Sequence, residues 1–387
     1  MSALPRHLFN AFVVLFAVDG LVQLAAVLVE PLLALGMLTR GLMLLSAPLV
    51  LLSWVVLARL PWRMVLPVAF VAWQTGGMMP LPAVLLDLTW TGVVGGLAQL
   101  ALAALLVMPW PGHFPLKDGD LRAGGDVRLG FSAARAAILG LLLVGGVALQ
   151  VWSMAWSLDH VTDGYVRVDG TGLETGHRAC RKDDTTIHLV GAIHIGESSG
   201  YDDLLSTVPD GALLLAEGVS DEDGKLGKGF GYGKIAERLG LVPQRGEGDE
   251  AGSEGQGRFR VRRADVDVNT FDEQTLKLLR DVGAILGASD PVAAYLESVT
   301  QSAAVTEETL EAVMGDVLTK RNAYLLSVID EVVAEETEIV VPWGAMHLRE
   351  VGRAVEDRGF TCGEPRYVRM ITWATVRTAL AKGAQRE

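Results

Sequence analysis

Residues 185–196 read TTIHLVGAIHIG, and residues 338–348 read EIVVPWGAMHL. Each is a β-prone apolar run that ends in Gly-Ala-apolar-His: Gly191 to His194 in the first, Gly344 to His347 in the second. Short apolar runs of this kind, rich in β-branched residues, read as buried strands. In α/β sheets, ligands bind beyond the carboxyl ends of such strands. The chain has seven histidines, so two in one local frame are the first candidates for a shared site. The glycine three positions before each histidine is expected at a sharp turn, where a residue without Cβ is needed.

Outward from these two strands the pattern alternates. GALLLAEGV (211–219) is a further apolar strand that ends at Glu217. GYDDLLSTVP (200–209) and GKIAERLGL (233–241) read as short helices, and residues 244–257, rich in Gly and Glu, as a surface loop. RFRVRRADVDV (258–268) reads as a strand or sheet edge. Residues 271–286, 290–299 and 306–336 have helical periodicity, LREVGRAVEDRGF is a helix stopped by Gly359, and RYVRMITW (366–373) is a last strand. This is an α/β or α+β domain with a central sheet and a helical insertion. Three strand ends then offer His194, Glu217 and His347. Two imidazoles and a carboxylate with an open position match a hydrolytic metal site. The ordinary alternatives are hydrogen-bonded surface histidines and a helix-capping glutamate. Asp265 and Asp267 are reserve ligands, with a solvated strand edge as their alternative, and His188 reads as structural.

The first part of the chain differs in composition. Half of the whole sequence is hydrophobic and mean hydropathy is +0.34. Residues 1–156 carry eight Lys/Arg and six Asp/Glu, leaving 25 and 40 for residues 157–387. The acidic second part has no basic surface to neutralise phosphates, which argues against a nucleic-acid partner. Residues 9–29, 42–58, 64–80, 83–108 and 134–156 are apolar enough to be read as about five transmembrane helices, with 64–80 either a full span or a re-entrant piece. Arg and Lys between alternate spans put residues 157–387 outside the cytoplasm of a bacterial inner or plasma membrane. A cleaved signal peptide at residues 1–29 is the weaker alternative. Asp19 and Asp87 fall inside apolar segments, as functional carboxylates or as helix–helix contacts. Cys180 and Cys362 are the two cysteines, both in the second part, and a bridge between them is permitted in an oxidising compartment.

The set GAIHIG, LLLAEGV, KRNAYLL (320–326) and IVVPWGAMHL, in that order, resembles the TraB/GumN/PrgY/TIKI superfamily over roughly residues 180–372. LGLVPQ followed by RRADVDVNTFDEQ is similar to a middle segment of its bacterial members. The resemblance implies two G-x-x-H motifs at Gly191–His194 and Gly344–His347, a site glutamate at Glu217 and a site arginine at Arg321. It implies a membrane-tethered, metal-dependent, peptidase-like hydrolase acting on peptide or protein substrates at the outer face. A divalent ion (Mn, Co or Zn) would sit on His194, His347 and Glu217, with Glu217 as ligand or general base. Arg321 would stabilise an oxyanion or orient Glu217; its alternative is a helix-surface ion pair. The several spans and the 244–257 loop depart from the family pattern. Two other functions stay open: a non-enzymatic peptide binder, and a transporter or sensor centred on the membrane half.

Overall fold

The computed structural model describes residues 3–26, 88–107, 114–117, 122–123, 126–127, 133–226, 232–244, 258–288 and 307–383, with isolated positions between 35 and 70 and at 294. The chain divides into two compact units, Met1–Ser157 and Leu158–Glu387.

In the first unit, α1 (Ala3–Ala26) packs on α2 (Leu88–Val107), and α3 (Ala133–Val161) leads into the second unit. Phe9, Phe12 and Phe16 of α1 meet Ala103 and Leu106 of α2 in a buried apolar cluster. Gly96 lets the two helices touch: a Cβ there would stand 2.9 Å from the Leu24 side chain and 3.1 Å from the Gly20 carbonyl. Asp19 is fully buried and accepts hydrogen bonds from Gln23 (2.6 Å), Thr39 (2.7 Å) and Gln99 (3.0 Å). It is a helix–helix contact, as a buried carboxylate with several donors should be.

The expectation of a multi-span region is corrected here. A bilayer core about 30 Å thick needs about 20 apolar helical residues. Among the described residues one helix is long and apolar enough, Arg6–Ala26. The apolar stretch of α2, Val93–Leu106, is shorter and spans only about 21 Å at 1.5 Å per residue. Residues 134–156 lie within α3, some of whose side chains are outside the described residues. The segments 42–58 and 64–80, and Asp87, lie outside the described residues apart from isolated positions. Apolar composition cannot separate a lipid-facing span from a helix that buries its face on a neighbour, and α1 does bury one. The fold is one candidate membrane helix near the N-terminus, then an α/β unit with a mixed sheet.

The second unit runs β1 (Val166–Val168), β2 (Gly172–Lys182), β3 (Thr185–Ala192), β4 (Ile195–Gly196), α4 (Ser198–Leu204), β5 (Leu213–Ala216), α5 (Gly233–Leu239), β6 (Val242–Pro243) and β7 (Arg260–Arg263). It continues with α6 (Glu273–Gly287), α7 (Glu307–Met314), a π-helical turn (Gly315–Lys320), α8 (Arg321–Val332), β8 (Glu338–Gly344), α9 (Ala345–Asp357), β9 (Thr361–Cys362), β10 (Arg366–Thr372) and α10 (Trp373–Gly383). The sheet order is β9-β2-β3-β8-β5-β7, with β1 and β10 also paired to β2. β3, β8, β5 and β7 are parallel, and β2 is antiparallel to β3.

Parallel strands buried on both faces read as continuous apolar runs, and the LLLA of β5 is one, with every residue buried. Ile187, Leu189, Leu215, Val341 and Trp343 turn to one face, against Leu325, Ile329, Leu348 and Val355 of α8 and α9. Val190, Leu214 and Val340 turn to the other, against Leu204, Val208 and Met370. The two histidine-bearing strands are neighbours, with Gly191 opposite Trp343 and Ala192 opposite Gly344.

Cys180 of β2 and Cys362 of β9 are register partners and are disulfide-bonded across 182 residues of sequence. Cross-linking a long loop restricts the unfolded chain and typically contributes about 2–4 kcal/mol. The Cys180→Ala/Cys362→Ala double variant of the full chain is expected to lose about that much stability. Urea titration followed by circular dichroism measures it, and an unchanged midpoint refutes it.

Candidate functional site

The carboxyl ends of the parallel strands set the site. β5 ends at Ala216 and delivers Glu217; β7 ends at Arg263 and delivers Asp265; β8 ends at Gly344 and turns straight into α9, which carries His347 in its first turn. β3 ends at Ala192, and His194 stands in the short link to β4. Arg321 comes from outside the sheet, at the first position of α8. The π-helical turn just before it is a wider coil of the kind that recurs at functional sites.

Arg321 is the hub. Its Nε and Nη2 donate to Asp265 at 3.0 and 2.6 Å, and Nη2 also donates to Glu217 Oε1 at 2.8 Å. Nη1 donates to His347 Nε2 at 3.2 Å. The Arg321, Glu217 and Asp265 side chains are only 11%, 10% and 0% exposed. Burial alone would push the Arg321 pKa down, but the Asp265 and Glu217 carboxylates outweigh it and raise it. Asp265 also accepts the backbone N–H groups of Gly218 and Val266, each at 2.9 Å. Glu217 Oε2 accepts the Gly344 N–H at 2.6 Å. Glu217 is thus held at both oxygens, and each oxygen keeps a lone pair for another donor.

The bonding fixes the state of His347. Asn322 Oδ1 can only accept, so His347 Nδ1, 2.7 Å away, carries the proton. A guanidinium can only donate, so Nε2 is the lone-pair nitrogen. Burial, and then the Arg321 charge, push the His347 pKa down to about 3. Asn322 in turn donates to Glu350 at 2.7 Å. His347 is a neutral, locked imidazole.

His194 differs from His347 despite the shared motif. It is exposed, and its ring stacks on Tyr232 with centroids 4.6 Å apart and planes 7° apart. Burial, and then the Glu217 charge, raise the Tyr232 pKa and keep its phenol protonated.

The donors do not fit the divalent ion that the resemblance implies. The one lone-pair nitrogen of His347 points at the Arg321 guanidinium, so a cation between His347 and Glu217, 3.8 Å apart, would lie against a buried positive charge. Among the described residues no three His, Cys, Asp or Glu side chains are grouped to hold a metal.

The glycines also serve differently from the sequence expectation. Gly344 stands where β8 turns into α9, as expected, but neither glycine has the positive φ that demands one. Gly191 lies within β3, where a Cβ would meet the Tyr165 carbonyl at 2.9 Å and the Gly176 carbonyl at 3.1 Å. Gly344 ends β8, where a Cβ would press on Glu217 and His347 at 3.4 Å. Asp265, read as a reserve ligand, is the main partner of Arg321. Asp267 caps the turn Val268–Thr270 through the Asn269 N–H instead. Asn322 and Tyr232 carried no motif of their own. Asn322 stands next to Arg321 in KRNAYLL, which was the one available sign. The 245–257 part of the Gly-rich loop and most of 290–299 lie outside the described residues.

No protein-family model, no curated protein and no solved structure matches the chain.

Proposed function

We propose that this chain is a hydrolase of peptide or other acyl bonds, tethered to a membrane by its N-terminal helix and related to the TraB/TIKI group. The observation that carries the reading is the fixed Glu217 carboxylate. It is held by Arg321 and the Gly344 N–H at the carboxyl edge of the parallel strands, and the exposed His194 follows the end of β3. A carboxylate fixed in this way is placed to take the proton of an attacking water. His194, the exposed imidazole of the set, is the group able to protonate a leaving amine or alkoxide. The Tyr232 phenol keeps its proton beside Glu217 and is a donor for an oxyanion. Arg321 and His347 position Glu217 and do not exchange protons near neutral pH. No step runs through a metal ion. The Arg6–Ala26 helix supports the tether, and the Cys180–Cys362 disulfide supports a compartment outside the cytoplasm.

The test is a turnover screen of the full chain with fluorogenic peptides and p-nitrophenyl esters, in chelator, beside Glu217→Gln. The expected result is turnover in the wild type that falls by about 10²–10⁴ in kcat in the variant, with circular dichroism unchanged. Peptide binding without turnover in either protein would make it a binder. Near-stoichiometric metal on elemental analysis, lost in His194→Ala, would replace the metal-free route.

A further inference from the structure

A second chain of polar groups crosses the sheet from Glu338, the first residue of β8, through His188 of β3 and His177 of β2. Glu338 Oε2 lies 2.8 Å from His188 Nε2, His188 Nδ1 lies 3.0 Å from His177 Nε2, and His177 Nδ1 lies 3.3 Å from Thr207 Oγ1. Arg366 Nη1 donates to the same Thr207 oxygen at 3.0 Å. His177 and His188 are each 7% exposed, whereas Thr207 is exposed on the turn after α4. The groups come from β8, β3, β2, the α4–β5 link and β10, so five separate segments converge.

With both imidazoles neutral, the two ends fix the direction of every bond. The carboxylate accepts, so His188 Nε2 carries a proton and its Nδ1 accepts from His177 Nε2–H. His177 Nδ1 is then a bare lone pair facing Thr207. The guanidinium donates, so the Thr207 oxygen accepts from Arg366 and its own proton is directed at His177. This is the order of an activated nucleophile: a hydroxyl, a base, and groups that orient the base.

We propose that Thr207 is the nucleophile of a second site, which accepts an acyl group from an activated ester. Thr207 Oγ1 bonds to the carbonyl carbon and the ester C–O bond breaks. The hydroxyl proton passes to His177 Nδ1 and from there to the leaving oxygen. Proton transfer along the pair moves the positive charge to His188, next to Glu338 and away from Arg366. The Arg366 charge steadies the forming alkoxide. Burial, then His188 and Arg366, lower the His177 pKa to about 4, so its lone pair is available across the neutral range. His177 is the base; His188 and Glu338 are positioning residues. The site shares no residue with the Glu217 cluster and does not rest on it.

The full chain is treated with p-nitrophenyl acetate, and acetylation is located by peptide mass mapping over time and pH. The expected result is acetyl-Thr207 forming about a hundredfold faster than at other exposed hydroxyls. It is absent in Thr207→Val and slowed at least tenfold, as an expected order of magnitude, in Glu338→Gln and in His188→Gln. Glu338 is partly exposed, which makes Glu338→Gln the variant that keeps the fold if His188→Gln does not. The rate in the wild type should fall as pH drops toward 4, where His177 gains its proton. Labelling of Thr207 no faster than of other hydroxyls, or at the wild-type rate in Glu338→Gln, overturns the proposal.

Discussion

Arg321→Met is expected to destabilise the protein by about 3–5 kcal/mol, the usual cost of removing one partner from a buried ion pair. Methionine has a similar length but no charge. Asp265, with a side chain 0% exposed, would keep only the Gly218 and Val266 N–H bonds. Glu217 would lose its donor at Oε1, and His347 Nε2 its donor as well. Arg321→Lys should recover only part of the loss, because one ammonium cannot reproduce a planar fork that serves two carboxylates and an imidazole. Pairing Arg321→Met with Asp265→Asn distinguishes a coupled pair from two separate defects. The double variant should lose less than the sum of the singles by about 1–3 kcal/mol. Urea unfolding read by circular dichroism gives these values. A loss within about 0.5 kcal/mol for Arg321→Met would class it with ordinary surface changes and remove the hub.

This hub shows what could be read from the sequence. The strands TTIHLVGA, LLLA and EIVVPWG were legible because burial on both faces leaves a nearly unbroken apolar run. Glu217 and His347 were legible as polar residues following such runs. The order of the strands was not. β8 inserts between β3 and β5, a pairing between segments far apart in sequence that no local pattern encodes. Asp265 was obscured because its strand, RVRR, is the edge of the sheet. Arg260 and Arg262 there pair with Glu336 and Glu331 at the surface, so the segment reads as solvated. The two G-x-x-H motifs read alike and fold apart. Gly344 starts a helix that turns His347 inward, whereas the Gly191 strand continues into a two-residue bridge that leaves His194 in the open. Hydropathy misjudged the membrane region because it reads composition and not helix length: the apolar stretch of α2, Val93–Leu106, is shorter than a span.

Acid should destabilise the second unit as pH falls below about 6.5. In the unfolded chain a histidine has a pKa near 6.5. In the folded chain burial and then Arg321 lower His347 to about 3, and burial, then His188 and Arg366, lower His177 to about 4. Both shifts are downward, so between pH 6.5 and 4 the unfolded state binds more protons than the folded one. Stability is fully present above about pH 6.5 and falls as pH drops through that window, with a slope approaching about 1.4 kcal/mol per pH unit for each histidine. The arginine-paired carboxylates Asp330 and Glu336 have lowered pKa values, so their contribution is lost only at more acid pH. Urea midpoints at a series of pH values from 7.5 to 4.5 would record the slope. His177→Gln and His347→Gln should each flatten it by about half, since the two rings belong to hydrogen-bond networks that share no residue. A stability flat from pH 7 to 4.5 would mean that water reaches both rings and that His347 is no locked scaffold for Glu217. A slope lost with His347→Gln but kept with His177→Gln would place the whole acid response at the Arg321 hub.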